Sequence, residues 1–204
     1  MENQRRISKI CTLQPHQHMK LNALANLILM ILFVICLSIK HWFSYGKSDF
    51  SLREIYMGGE NKSWRVYGDF KNMCNQKNLN KYPDLREDCL QITNFELAGI
   101  MYICLTVFAL LLQGYCIVSS ASIGWNTGMG LFQFDFPHIL TPIAFAFSMI
   151  VWIMLISVAF LNDFGTGPGM WLANLATSLE FGVAVHYVIF KGYMDGKYSY
   201  PLVS

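Results

Sequence analysis

Charge is what this chain has least of. Only 14% of its 204 residues are Asp, Glu, Lys or Arg, while 54% are apolar and 15% aromatic. Soluble domains carry about a quarter charged residues, so the imbalance points to a bilayer. The net charge of +2 is too small to suggest a nucleic-acid partner. Also missing are a phosphate-binding glycine loop, a zinc motif and a nucleophile motif. No Cys-x-x-Cys pair occurs among the six cysteines, which argues against a membrane thiol oxidoreductase. No internal repeat or low-complexity tract is visible. Neither enzymatic activity nor a cofactor is expected.

What remains is mostly long apolar runs. A transmembrane helix needs about 20 largely apolar residues to cross a hydrocarbon core of about 30 Å. Four stretches qualify, at about 21–39, 97–119, 139–160 and 169–190, and none contains Lys or Arg. The first follows Arg5, Arg6, Lys9 and Lys20, so a secretory signal peptide is the competing reading. It is longer than the usual apolar core of such a peptide, and no small-x-small cleavage site follows. A retained helix is the expectation, and residues 1–204 are read as one membrane domain.

Orientation comes from the rule that short cytoplasmic segments carry Lys and Arg. The N-terminal arm has four basic residues and the C-terminal tail has Lys191 and Lys197, which places both ends in the cytoplasm. The connection at 120–138 has none and adds no support. Eight of the thirteen acids fall between Asp49 and Glu96, and nine of the fifteen basic residues between Lys40 and Arg86. The one strongly hydrophilic region is therefore the loop at 41–96, whose charges are balanced and which the rule discounts. It is expected to be extracellular, in a multi-pass protein of the plasma membrane.

Within that loop, residues 53–57 and 64–70 are rich in β-branched or aromatic residues and flank a turn-like cluster at 58–63, which reads as a hairpin. Residues 72–88 turn polar and suggest a loop or short helix. The cysteines separate by compartment. Cys36, Cys104 and Cys116 lie in helices, where a free thiol behaves as a small hydrophobe, and Cys11 is cytoplasmic, where thiols stay reduced. Cys74 and Cys89 share the oxidised loop, so a disulfide between them is expected, with two unpaired thiols as the alternative. Asn61-Lys62-Ser63 matches the N-glycosylation sequon and sits at the proposed hairpin tip. Only about eight residues, 161–168, join the last two helices: a tight turn, too short for a second recognition domain. His16 and His18 lack Cys or acid partners at metal-ligand spacing and are read as solvated. The run 131–137, with its alternating Phe residues, is read as an interfacial entry into the third helix at Pro137.

This arrangement resembles the claudin superfamily, which includes claudins, peripheral myelin and epithelial membrane proteins, lens fibre membrane protein and voltage-gated calcium channel gamma subunits. His41-Trp42 is similar to the Trp that closes the first helix in that family. Gly68-Asp-Phe70, then Cys74, then Cys89 resembles the loop signature Gly-Leu-Trp, Cys, Cys. Asp69 and Phe70 depart from its Leu and Trp, one extra residue precedes Cys74, and the cysteines lie fifteen apart, as in an outlying member. The resemblance implies an all-α membrane protein: a left-handed four-helix bundle capped by a small extracellular antiparallel β-sheet in the first loop. It implies function by contact, in adhesion at cell junctions or as an auxiliary subunit of a channel or receptor. Expected partners are membrane lipid and other membrane proteins, including further copies of the chain. The short turn at 161–168 favours the auxiliary role. The C-terminal Tyr200-Pro-Leu-Val-Ser204 lacks the terminal hydrophobic residue of a PDZ ligand, so scaffold tethering is not expected.

The sharpest single residue is Glu180, near the middle of the fourth apolar stretch. A carboxylate there costs a few kcal/mol on insertion scales, so it needs a partner, a proton or a function. Thr177 is one turn away on the same face, with Ala173 and Ala176 nearby, which would allow close helix contact. Asn174, Gln113, Asn22 and Asn26 are candidates for the same polar seam. Structural glue, contact with a partner's helix, and ion or proton handling are the three readings of Glu180. His186 is read as interfacial, with no second intramembrane histidine facing it.

Overall fold

A computed structural model describes residues 14–45, 48–57, 63–71, 74, 85–127, 134–160 and 165–196. The basic N-terminal arm, the sequon at Asn61 and the C-terminal tail lie outside the described residues. Helix α1 (Pro15–Ser38) leads into strands β1 (Phe43–Tyr45), β2 (Ser48–Phe50), β3 (Glu54–Met57) and β4 (Ser63–Val66). A one-turn helix α2 (Tyr67–Lys71) follows, then α3 (Leu85–Trp125), α4 (Phe136–Phe160), β5 (Gly165–Thr166) and α5 (Pro168–Met194).

Four segments are long and apolar enough to cross a membrane: His16–Ser38, Cys89–Trp125, Phe136–Ile156 and Pro168–Met194. Their outward side chains are apolar too. Leu24, Ile31, Phe108, Leu111, Ile150 and Leu175 are all exposed, a surface that water would not tolerate and lipid requires. α3 packs against α1 and α4, and α5 packs against the same two, which closes a ring of four. At 1.5 Å per residue the 41 residues of α3 span about 60 Å, twice the hydrocarbon thickness. The helix therefore runs well past the apolar stretch expected at 97–119, and its first turns, which contain Cys89 and Glu96, belong with the sheet.

The sheet is antiparallel throughout, in the order β4-β3-β2-β1-β5. Phe43 pairs with Phe50 and Phe50 with Ile55. All three are buried, and they form the row that faces the bundle. Beneath them lies a cluster containing Trp42, Leu52, Tyr67, Phe70, Phe95, Tyr102 and Trp152. A second, smaller cluster of Phe33, Ala109, Phe145 and Ala176 fills the middle of the bundle. There Phe33 and Phe145 stack with ring centroids 3.6 Å apart.

Two expectations are corrected here. The hairpin forms, with Glu54–Met57 paired to Ser63–Val66, but the second strand stops at Val66 and residues 67–70 are helical. Tyr67 and Phe70 are buried while Gly68 and Asp69 between them are exposed, a spacing of three that suits a helical turn and not the alternation of a strand. The turn at 161–168 also does more than connect helices: Gly165 and Thr166 pair with Ser44 and Phe43. The short connection thus supplies the fifth strand and ties α4 and α5 to the first loop.

Candidate functional site

The junction of sheet and bundle holds the residues that carry the family resemblance. Trp42 is fully buried, with its ring 5.0 Å from Tyr102 and 4.9 Å from Trp152, both edge-on. Among the described residues its indole Nε1 has no hydrogen-bond partner. Two glycines let backbone approach here. A β-carbon on Gly99 would run into the Leu52 carbonyl, and one on Gly169 would meet Trp42 Nε1 at 2.7 Å. Among the described residues nothing lies within 4 Å of where a β-carbon on Gly68 would stand, so none of them demands glycine there. Phe70 is buried in the same cluster as Trp42. Cys74 and Cys89 are joined in a disulfide with Cα atoms 5.8 Å apart, which holds the loop to the first turns of α3. Tyr67 donates to the Ser51 carbonyl at 2.8 Å. Burial, with the nearby Glu96 charge, pushes its phenol above the ordinary range.

The opposite face of the sheet looks away from the bundle and is polar and aromatic. Ser44, Asp49, Tyr56 and Trp64 form its row through successive strand pairings. Trp64 sits at its centre of contacts: His41 lies 5.4 Å away edge-on, Tyr56 lies 5.5 Å away, and the Lys40 ammonium stands 5.4 Å from the ring centroid. Lys40 Nζ also pairs with Glu54 Oε2 at 2.8 Å, and His41 Nδ1 stands 3.4 Å from Asp49 Oδ2. Two aromatic rings framed by both signs of charge make a surface suited to contact with another protein. The hairpin pattern alone assigns Tyr56 and Trp64 no face. The alternation with Ile55 carried that signal.

Inside the bundle Glu180 is 2% exposed, and Gln113 Nε2 of α3 donates to its Oε2 at 3.0 Å. Thr177 and Asn174 make their hydrogen bonds elsewhere. Thr177 donates to the Ala173 carbonyl of its own helix at 2.8 Å, and Asn174 offers its backbone carbonyl to Ser178. Asn22 and Asn26 form a separate seam nearer the other end. Asn22 Nδ2 donates to the Val183 carbonyl at 2.8 Å, Asn26 Nδ2 donates to Asn22 Oδ1 at 3.0 Å, and Ser120 Oγ donates to the same Oδ1 at 2.9 Å. Glu180 and Gln113 were expected in one seam with these residues, but they form a pair of their own.

The histidine expectations also change. His18 Nδ1 and His186 Nε2 are 3.3 Å apart, and His18 stacks on Phe190 with centroids 3.6 Å apart. His186 therefore does face a second histidine, and His18 is half-buried against α5. His16 Nδ1 lies 3.1 Å from the Ile123 carbonyl near the end of α3. Among the described residues no three His, Cys, Asp or Glu side chains meet in a way that would hold a metal ion. At the same end Phe134 and Phe136 are exposed, and Asp135 accepts from Tyr187 at 3.0 Å.

These features define a class: a multi-pass membrane protein whose four apolar helices carry a small antiparallel sheet and a disulfide. No protein-family model matches the chain, and no curated protein matches it.

Proposed function

We propose that this chain is a non-enzymatic, claudin-like membrane protein that acts by contact, as an auxiliary subunit of a channel or receptor or in adhesion at cell junctions. The observation that carries the reading is the outer row of the sheet, where Tyr56 and Trp64 are framed by Lys40, His41, Asp49 and Glu54. The short connection at 161–168 favours the auxiliary role, because it ends in the edge strand β5 and leaves little chain for a second contact. The sheet lies outside the cell, and both termini lie in the cytoplasm of a plasma-membrane protein. Basic residues at the chain ends, the sequon at Asn61 and the disulfide all support that orientation.

Crosslinking of the full chain in cells, followed by mass spectrometry, tests the contact reading. Trp64→Ser should deplete the crosslinked partners without loss of the folded protein, since Trp64 faces away from the bundle. An unchanged partner set in that variant would sink the proposal that this face makes the contact.

A second reading has its own observation, a carboxyl buried within a membrane span. In it Glu180 handles a permeating ion or proton. Against it stand the Gln113 hydrogen bond and the stacked Phe33 and Phe145 in mid-bundle, which favour Glu180 as structural glue. Reconstitution of wild type and Glu180→Gln in liposomes separates the two. A current or proton flux carried by wild type and lost in the variant would make the contact reading wrong.

A further inference from the structure

We propose that the groove between α1 and α3, at the end of the bundle away from the sheet, holds an anionic phospholipid, with its phosphate on Lys20 and Gln17 and an acyl chain along Leu21 and Leu24. The cavity has a volume of about 430 Å³ and is walled on the α3 side by Trp125. Along α1 its lining runs from Gln17 and Lys20 to Leu21 and Leu24, polar before apolar, the order in which a lipid presents headgroup and chain. Leu21, Leu24 and Trp125 are each about half exposed, so the groove opens sideways to the bilayer.

Lys20 is held at its mouth. Gly124 lies against the aliphatic stem, where a β-carbon would come within 2.8 Å of Lys20 Cγ. The ammonium stands 5.3 Å from the centroid of the Trp125 ring. Such a side chain buries its stem and keeps its charge at the headgroup level, where an indole also prefers to lie.

Neither wall neutralises that charge. α1 contains no Asp or Glu, and α3 contains none after Glu96, far down the helix at the sheet end. Among the described residues Lys20 forms no ion pair. The sequence preceding α1 adds Arg5, Arg6 and Lys9 against the single acid Glu2, and a basic segment next to a membrane span in sequence attracts anionic lipid. A cation without a carboxylate, above an apolar slot open to lipid, is complementary to a phosphodiester with hydrocarbon below it. Partition of the charge between arm and groove is what the variants resolve.

The full chain, purified with equal amounts of phosphatidylglycerol and phosphatidylcholine, is analysed by native mass spectrometry for the lipid it retains. Wild type should retain phosphatidylglycerol preferentially. Lys20→Gln should lower that preference about fivefold, the share of one basic residue at a membrane surface, and Lys20→Arg should restore it. Leu24→Trp fills the slot, keeps every charge, and should lose the preference as well. An excess of inorganic phosphate should leave the lipid bound. Three results would overturn the proposal: an unaltered preference in Lys20→Gln, an unaltered preference in Leu24→Trp, which would assign the effect to the arm alone, or displacement by inorganic phosphate, which would mark a simple anion site.

Discussion

Gly169 at the start of α5 lies directly against the indole of Trp42, so that a β-carbon at 169 would stand 2.7 Å from Nε1 and 2.8 Å from Cδ1. The aromatic ring that closes the first membrane helix is therefore seated on the first turn of the last one. Trp42 is surrounded by Tyr102 and Trp152 and has no room to yield. Gly169→Ala should destabilise the protein by about 1–3 kcal/mol, the usual cost of overpacking a tight site. Gly99→Ala should cost at least as much, because the atom in the way is the Leu52 carbonyl of the backbone. Gly182→Ala meets nothing within 4 Å and serves as the neutral control. Thermal unfolding in detergent checks all three, and equal melting of the Gly169 and Gly182 variants would contradict the packing argument.

The pair of Gln113 and Glu180 makes a second prediction. Interhelical hydrogen bonds in membranes contribute only about 0.6 kcal/mol on average, whereas a buried polar group left without a partner costs about 1–3 kcal/mol. Gln113→Leu should therefore be worse than the bond it removes, by stranding the Glu180 carboxyl. Glu180→Gln keeps a group that can pair with an amide and should be mild. The double replacement of both residues by Leu should recover much of the single-variant loss. A denaturation series with the coupling energy of the cycle as its readout decides the matter, and strict additivity would rule out the pairing.

The helices were legible in the sequence because a bilayer imposes one strong demand, about 20 mainly apolar residues without Lys or Arg, and lipid makes that demand along the whole length of the span. The sheet was harder to read. β1 and β2 are three residues each, too short to show a period, and β5 is a pair, Gly165 and Thr166, whose strand character comes wholly from its neighbour β1. Trp64, Tyr67 and Phe70 look alike as a run of spaced aromatics. The spacing of three between Tyr67 and Phe70 belongs to the turn of α2, while Trp64 faces outward because its strand pairs it with Tyr56, next to the inward Ile55. Glu180 was visible as a misplaced charge, but its partner Gln113 lies 67 residues away on another helix, and no local pattern connects them. His18 and His186, 168 residues apart, were missed for the same reason.

The disulfide offers a test of how much the loop depends on its anchor. Cys74 and Cys89 are separated by 15 residues, and closing a loop of that size stabilises by about 3 kcal/mol on the chain-entropy model. Replacing both cysteines by Ser should lower the melting temperature, and reductant should then have little further effect. Wild type should lose a similar increment when reduced. A reduced wild type that melts with the oxidised protein would mean that the sheet and the Trp42 cluster alone set the stability.

Charge on the outer sheet face should matter for contact and hardly at all for folding. The Lys40 and Glu54 side chains are 53% and 29% exposed, and an exposed pair of this kind contributes about 0–1 kcal/mol. Lys40→Ala and Glu54→Ala should each leave the melting temperature nearly unchanged while altering the crosslinks that depend on Trp64. A large fall in stability would instead assign the ion pair a structural role in holding the sheet to α1.

Sidedness is tested most directly by combining the sequon with the cysteines. If the loop is outside the cell, it has passed through the compartment that both glycosylates Asn-x-Ser sites and oxidises thiols. Glycosidase should then shift wild type, Asn61→Gln should abolish the shift, and Cys74 and Cys89 should resist alkylation until reductant is added. Two chemistries that share only a compartment would thereby report one orientation. An unshifted wild type whose two loop cysteines are alkylated from the cytoplasmic side would reverse it, and with it the assignment of the Trp64 face to contacts outside the cell.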